Sequence, residues 1–219
     1  MACYVRMMRQ EDVDQVTEID REAFPTMWPP ANYKHEMKNR LAHYLVVCDE
    51  IKPLEQPDVK SRSGNGFTGL MSGLRCLFLS GRFSSDRQPL LPGHYIVGFV
   101  GFWIMADEAH ITSIAVREKY RRQGIGELMM VSVVDMAENL KARIVTLEVR
   151  VSNKGAQRLY SRYCFSRVGL RKGYYTDDRE DAVVMSTDNI TSASYKAELA
   201  GLKRALSKKI GAPLQKVRH

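Results

Sequence analysis

The segment from Arg121 to Gly126, with the sequence RRQGIG, has the composition of an anion-binding turn. It follows Ala109–Val116, whose apolar and β-branched residues predict a strand, and it precedes apolar residues at helical spacing. The free N–H groups and the dipole of a helix N-terminus attract anions. Gly124 and Gly126 would let a phosphate approach the backbone, and the two arginines add charged donors. The segment therefore predicts a phosphate-binding loop.

Two common phosphate loops do not fit this segment. A dinucleotide-binding loop has a third glycine where this chain has Met129, and a P-loop requires Gly-Lys-Ser/Thr. Basic residues beside glycines also occur in ordinary surface turns. The position between a strand and an amphipathic helix is what favours a functional loop here.

The rest of the chain alternates between strand and helix patterns. Strands are predicted at Ala2–Met8, Ala42–Asp49, Tyr95–Met105, Arg143–Val151, Phe165–Leu170 and Asp181–Ser186. Helices are predicted at Glu11–Phe24, at Ala31–Leu41 and after Asn153, a good N-cap residue. Lys52–Gly93 is rich in Gly, Ser and Pro, which indicates a flexible insertion between two neighbouring strands, with an apolar middle at Leu70–Leu79.

Length and composition fit one enzyme-sized domain with additions. The chain has 219 residues, of which 44% are hydrophobic and 26% charged. Its four cysteines are scattered without metal-ligand spacing, which favours a reduced compartment. The N-terminus lacks the apolar core of a signal peptide, and the longest apolar run, Tyr95–Ala106, is too short to span a bilayer. We therefore expect a cytoplasmic protein without a membrane span.

The net charge of +8 is concentrated in two segments. Residues 52–93 contain six Lys or Arg against three acids, and residues 187–219 contain seven against two. The second segment includes an amphipathic stretch with Leu199, Leu202, Leu206 and Ile210 on one face. Such a basic extension either docks on RNA or an acidic membrane surface, or packs its apolar stripe on its own domain.

Two motifs resemble a known enzyme family. The spacing of Arg121, Gly124 and Gly126 resembles the pyrophosphate loop of the GCN5-related N-acetyltransferases (GNAT family), which bind acetyl-CoA there. The stretch 147–185 resembles the RimI-type ribosomal-protein alanine N-acetyltransferases more specifically. Matching features are Leu147-Glu148-Val149-Arg150, Asn153, Leu159-Tyr160, Tyr174-Tyr175 and Glu180-Asp181-Ala182. The strand AHITSIAV is also similar to eukaryotic and archaeal N-terminal acetyltransferases.

The resemblance covers residues 94–186 well and residues 1–49 weakly, and Cys164-Phe165 departs from the usual Gly-Phe. It implies a GNAT fold in residues 1–186, of the α/β (α+β) class. This fold has a mixed central sheet of about seven strands flanked by about four helices. The insertion 52–93 and the basic C-terminal extension 187–219 lie outside the resemblance.

The resemblance also implies a reaction and two catalytic residues. An α-amine of a protein attacks the acetyl carbon of acetyl-CoA directly in a ternary complex, with Glu148 as general base and Tyr160 as general acid. An α-ammonium has a reference pKa of about 7.7–8.0 and is easier to deprotonate than a lysine at about 10.4. On the residues alone, Glu148 could instead pair with Arg143 or Arg150, and Tyr160 could be a core residue.

The remaining implied site residues fall into two groups, and no metal is expected. The cofactor-binding residues are Ile114, Ala115, Val116, Arg121, Arg122, Gln123, Gly124, Ile125, Gly126 and Asn153. The substrate-binding residues are Phe24, Pro25, Trp28, Tyr174 and Tyr175, which could alternatively pack their loops. His110 could be a proton carrier or a structural residue.

Three functions remain open at this point. The first is acetylation of a protein N-terminus, with an N-terminal alanine of a ribosomal protein as the favoured substrate and the basic tail near ribosomal RNA. The second is acetylation of a lysine or a small amine. The third is a non-catalytic acetyl-CoA-binding module associated with the ribosome.

Overall fold

The computed structural model describes residues 3–25, 31–53, 94–214 and 217. The strands are β1 Cys3–Met7, β2 Ala42–Pro53, β3 His94–Met105, β4 Glu108–Val116, β5 Ile144–Arg150, β6 Phe165–Arg171 and β7 Ala182–Thr187. The helices are α1 Val13–Ala23, α2 Tyr33–Glu36, α3 Ile125–Asn139, α4 Lys154–Arg162 and α5 Ala193–Ile210. Short 3-10 turns occupy Gln10–Asp12 and Glu118–Tyr120.

The strands form one mixed sheet in the order β1-β2-β3-β4-β5-β7-β6. The β4–β5 pair is parallel and every other pair is antiparallel. Because β2 and β3 are neighbours, residues 52–93 do connect two adjacent strands, as predicted. The seven-stranded mixed sheet of the predicted fold is also confirmed.

Each face of the sheet has its own apolar core. The larger core joins the sheet to α3, α4 and α5 and includes Phe102, Met129 and Leu147. The smaller core joins β1–β3 to α1 and α2 and includes Ile19 and Phe99. Residues alternate between the faces along a strand, so Glu148 lies on the face opposite Leu147.

The C-terminal extension packs on its own domain. Leu199 and Leu206 of α5 are buried against α3, as one interpretation of its apolar stripe predicted. Three lysines pair with acids along α3, namely Lys196 with Glu138, Lys203 with Asp135 and Lys209 with Glu127. The last turn of α5 therefore lies beside the first turn of α3.

Two predicted helices have different bounds in the structure. The prediction of a helix over Ala31–Leu41 was wrong in length, since α2 ends at Glu36. The last residues of the predicted helix form tight turns instead, and the Asn39 side chain accepts a hydrogen bond from the Leu41 amide just before β2 begins. The first helix begins at Val13 rather than Glu11, because Asp12 binds Arg6 and the Arg9 amide.

No helix among the described residues combines the length and apolarity needed to cross a membrane. The apolar middle of the insertion, Leu70–Leu79, and Trp28 lie outside the described residues.

Candidate active site

The sheet opens between its two parallel strands. β4 pairs with β5 only from Glu108–Ile144 to Ile111–Leu147, although β4 continues to Val116 and β5 to Arg150. Residues 112–116 and 148–150 therefore line a gap, which we call the β4–β5 cleft. Strand edges without a partner strand present N–H and C=O groups that can bind an extended ligand.

The carboxyl group of Glu148 lies where this cleft begins. Its side chain is only 6% exposed, and each oxygen has a partner. His110 Nε2 is 3.1 Å from Oε2, and Arg171 Nη2 is 3.0 Å from Oε1. Both oxygens of this buried carboxyl are therefore satisfied by nitrogen donors, as burial of a polar group requires.

A chain of polar groups continues from Glu148 along the sheet surface. His110 Nδ1 is 2.9 Å from the hydroxyl of Thr146, and that hydroxyl donates to the carboxylate of Glu108. The parallel register places His110 directly opposite Thr146. The Glu108 side chain is partly exposed, so the chain links the buried carboxyl to solvent.

The second predicted catalytic residue is Tyr160. Tyr160 is a buried residue of α4 and packs against Phe165, with ring centroids 6.0 Å apart. Burial raises its pKa above the ordinary tyrosine value, and the nearby phenol of Tyr175 adds to the increase. Burial also raises the pKa of Tyr175 to about 12, and Glu148 contributes to that increase.

The turn before α3 presents a row of free donors. Among the described residues, no acceptor receives a hydrogen bond from the backbone amides of Arg122 to Glu127. The side chains of residues 121–123 are exposed. Consecutive amides without such a bond at a helix N-terminus favour the binding of an anion. The role of this turn toward a cofactor stays a prediction.

Glycine is required at position 124 for a reason that the sequence did not reveal. Gly124 has φ +93°, and a Cβ atom there would lie 3.2 Å from Ile210 Cγ2 and 3.4 Å from Leu206 Cδ1 of α5. Gly124 is buried beneath the C-terminal helix, and it leaves room for that helix in addition to adopting the left-handed conformation. A Cβ atom at Gly126 would lie 3.1 Å from Leu159 Cδ2 of α4.

Comparison with known proteins identifies the family. The family model described as Acetyltransferase (GNAT) family matches residues 83–164. A protein of Bacillus subtilis (strain 168), provisionally named a [ribosomal protein bS18]-alanine N-acetyltransferase, is 35% identical over 182 residues, covering 83% of this chain and 92% of the relative. The chain belongs to the GNAT acetyltransferase family.

Other relatives support the same assignment. An N-alpha-acetyltransferase of Saccharolobus solfataricus is 30% identical over 184 residues, covering 83% of this acetyltransferase and 90% of the relative. The crystal structure of the ribosomal-protein-S18-alanine N-acetyltransferase from Escherichia coli has the same fold, with a TM-score of 0.58 and 21% sequence identity. That comparison covers 88% of this chain and 97% of the other. The RimI-type resemblance seen in the sequence is confirmed.

In this acetyltransferase the predicted substrate-binding tyrosines lie beside Arg150 of β5 and Arg171 of β6. Tyr174 and Tyr175 pack edge to face, with centroids 5.3 Å apart, and Arg150 stacks on Tyr175 at 3.9 Å. The same guanidinium binds three carboxylates of the following loop, those of Asp177, Asp178 and Glu180. This cluster holds the β6–β7 loop against β5.

The other predicted substrate-binding residues are Phe24, Pro25 and Trp28. Phe24 ends α1 and is half-buried, and Pro25 is exposed. Trp28 lies outside the described residues. Asn153 accepts a hydrogen bond from the Ala156 amide and so caps α4, as its position predicted. Its role toward a cofactor stays a prediction.

Sequence reasoning missed two partners of Glu148. Arg171 was not predicted at all, and His110 was left between two interpretations. Neither lies near Glu148 in sequence, and the proposed partners Arg143 and Arg150 are not the ones observed. Among the described residues, no group of three or more His, Cys, Asp or Glu side chains is arranged to hold a metal ion.

Proposed function

We propose that this chain transfers the acetyl group of acetyl-CoA to the N-terminal α-amine of a protein, by direct attack in a ternary complex. The observation that carries this proposal is the buried carboxyl of Glu148 at the start of the β4–β5 cleft, paired with His110 and Arg171. The names of the relatives favour the N-terminal alanine of a ribosomal protein as the substrate.

The proton removed from the substrate has a defined route in this proposal. An incoming α-ammonium, with a reference pKa of about 7.7–8.0, gives its proton to Glu148. His110 contacts Glu148 and Thr146, and Thr146 contacts the partly exposed Glu108. These groups can carry the proton from the buried carboxyl toward solvent.

Tyr160 serves as the general acid. The free amine attacks the acetyl carbon, the bond between that carbon and the sulfur of CoA breaks, and the departing thiolate accepts the phenolic proton. The nitrogen of the new amide then releases its second proton, which restores the phenol of Tyr160. Because burial raises the pKa of Tyr160, the phenol keeps its proton until the leaving group forms. A thiolate with a reference pKa of about 8.5 is a good leaving group, so the acid assists a step that is already feasible.

Acetyl-CoA is the co-substrate in this proposal. The amides of residues 122–127 and the arginines at 121 and 122 would hold its diphosphate. The edge of β4 at Ile114–Val116 and the side chain of Asn153 would hold its pantetheine arm. Membership of an acetyltransferase family supports this assignment, and besides the substrate amine the proposed steps require only acetyl-CoA from outside the chain.

The predicted attraction of the tail to RNA has less support. Three of the seven cations in residues 187–219 pair with acids on α3. A substrate on the ribosome would still imply a cytoplasmic enzyme that works near RNA, and this is part of the proposal. These pairs leave fewer free cations on α5, which limits the contribution of this helix to RNA binding.

A thiol-release assay with acetyl-CoA and short peptides tests the proposal. We expect turnover on a peptide with a free N-terminal alanine and little on the same peptide with a blocked N-terminus. A blocked peptide containing lysine would be preferred by a lysine acetyltransferase, and its preference would reassign the enzyme. Tight CoA binding without turnover on any peptide would favour the non-catalytic module.

A further inference from the structure

The two partners of Glu148 approach it from different sides. His110 lies on the neighbouring strand β4 and is 20% exposed, whereas Arg171 ends β6 at the sheet edge and is 57% exposed. Arg171 therefore covers Oε1 from the solvent side. A substrate amine that approaches Glu148 from solvent meets this guanidinium first.

The surroundings of the guanidinium are those of a cation-binding site. Its central carbon is 5.6 Å from the ring centroid of Tyr174, within the range of a cation–π contact. The charge of Glu148 acts on the phenols of Tyr174 and Tyr175 and contributes to raising their pKa values. The carboxylate of Glu148 and the ring of Tyr174 thus both contact this one positive group.

The substrate of the proposed reaction brings the same kind of group. A peptide N-terminus arrives as an ammonium ion, which donates hydrogen bonds to carboxylates and is attracted to aromatic rings as a guanidinium is. Only one cation can occupy Oε1 of Glu148 in the manner that Arg171 does. The two cations must therefore compete for that oxygen.

We propose that Arg171 is a resident cation that occupies the α-ammonium subsite until the substrate N-terminus displaces it. This inference rests on the proposed function and assigns the subsite to Glu148 Oε1 and the ring of Tyr174. Arg171 acts as a specificity-determining residue, because an N-terminus binds only if its positive charge replaces that of the guanidinium.

The neighbouring Arg150 indicates why Arg171 can be displaced. Arg150 binds three carboxylates and stacks on Tyr175, so it is fixed in place. Among the described residues, Arg171 has a single carboxylate partner, Glu148, and its side chain is mostly exposed. The guanidinium therefore keeps much of its contact with water, and a flexible arginine held by one carboxylate can move away from it.

Steady-state kinetics of Arg171→Ala test the competition, because the proposal predicts in which direction the KM for the peptide changes. With acetyl-CoA saturating, we expect the KM for an N-terminal alanine peptide to fall at least threefold. With the peptide saturating, we expect no change in the KM for acetyl-CoA. Arg171→Lys, which keeps a cation, should stay near the wild-type value, and Lys172→Ala serves as the exposed neighbouring control. A raised or unchanged peptide KM in Arg171→Ala would overturn the proposal.

Two unreactive peptides separate charge competition from simple steric cover. A peptide with an N-terminal trimethylammonium keeps the charge but cannot be acetylated, whereas the N-acetylated peptide has no charge. We expect Arg171→Ala to lower the inhibition constant of the first at least threefold and to leave that of the second unchanged. Equal changes for both would show that Arg171 only blocks space. If wild-type enzyme acetylates no peptide, the proposed function fails instead.

Discussion

The two ends of the β4–β5 cleft are built from different interactions. At the proposed cofactor end, backbone amides without a hydrogen-bond acceptor among the described residues belong to a turn whose Gly124 is buried under Leu206 and Ile210. At the substrate end, charged and aromatic side chains surround Glu148, and the outermost of them, Arg171, is largely exposed. The first end is fixed by packing, and the second by ion pairs.

This difference matches the demands on each end. A cofactor that never varies is best held by backbone donors in a packed helix, because those donors cannot change direction without unfolding the turn. A peptide N-terminus must enter and leave, and side-chain ion pairs near solvent can be exchanged at low cost. Variants at the two ends should therefore affect different kinetic constants.

The largest effect is expected for Glu148→Gln. Loss of the general base should lower kcat by about 10²–10⁴-fold, while the dissociation constant of acetyl-CoA stays unchanged because the carboxyl lies at the substrate end. Glu138→Gln is the control, because it makes the same chemical change on α3, where the carboxylate pairs with Lys196. Stopped-flow kinetics and calorimetric titration measure the two constants. Wild-type turnover in Glu148→Gln would place the base elsewhere.

A smaller loss of rate is expected for Tyr160→Phe. Removing the general acid should lower kcat by about 10²-fold, the lower end of the usual range, because a thiolate leaves readily without help. Tyr195→Phe is the matched control, since it removes a buried hydroxyl on α5 that donates to the Tyr163 carbonyl. If the two variants lose the same activity, the effect of Tyr160→Phe reflects packing rather than proton donation.

The sequence predicted the parts of the site that depend on local patterns. The glycine turn, the helix that follows it and the cap at Asn153 depend on neighbouring residues, and all three occur as predicted. Glu148 and Tyr160 came from the family resemblance, and both are buried in the structure. Their catalytic roles stay predictions.

The contacts of Glu148 could not be predicted because they depend on strand order. His110 reaches it through the parallel register of β4 and β5, which pairs residues 36 positions apart. Arg171 reaches it across β7, which follows β6 in sequence but lies between β6 and β5 in the sheet. Similarly, the apolar stripe predicted that one face of α5 is buried, but it did not indicate that Ile210 on this face lies over Gly124.

At the cofactor end, Gly124→Ala should act on stability and on acetyl-CoA binding together. The left-handed conformation costs a residue with a Cβ atom about 1–2 kcal/mol, and the new methyl would press on Ile210 and Leu206. We expect a matching loss in the free energy of unfolding and a higher dissociation constant for acetyl-CoA. Gly126→Ala is the control for stability only, because its Cβ atom would lie 3.1 Å from Leu159 Cδ2 of α4 and would not press on α5. An equal or larger loss in the control would contradict the role of α5.

The smallest effect is expected from the ion pair that fastens the last turn of α5 to α3. Burial raises the pKa of Glu127, but the hydrogen bond and charge of Lys209, together with Tyr163 and Arg162, outweigh it and leave that pKa below the ordinary value of 4.5. A lowered pKa in the folded state stabilises the protein above pH 4.5, and the contribution is lost as the pH falls through the lowered pKa.

Lys209→Ala should therefore cost about 0.5 kcal/mol at pH 7, since the lysine is half-exposed, and less below pH 4. Urea unfolding at both pH values measures this difference, with the exposed neighbour Lys208→Ala as control. The dissociation constant of acetyl-CoA should rise only slightly, because Leu206 and Ile210 still cover Gly124. A cost that does not depend on pH would mean that the lysine stabilises α5 through its apolar stem and not through Glu127.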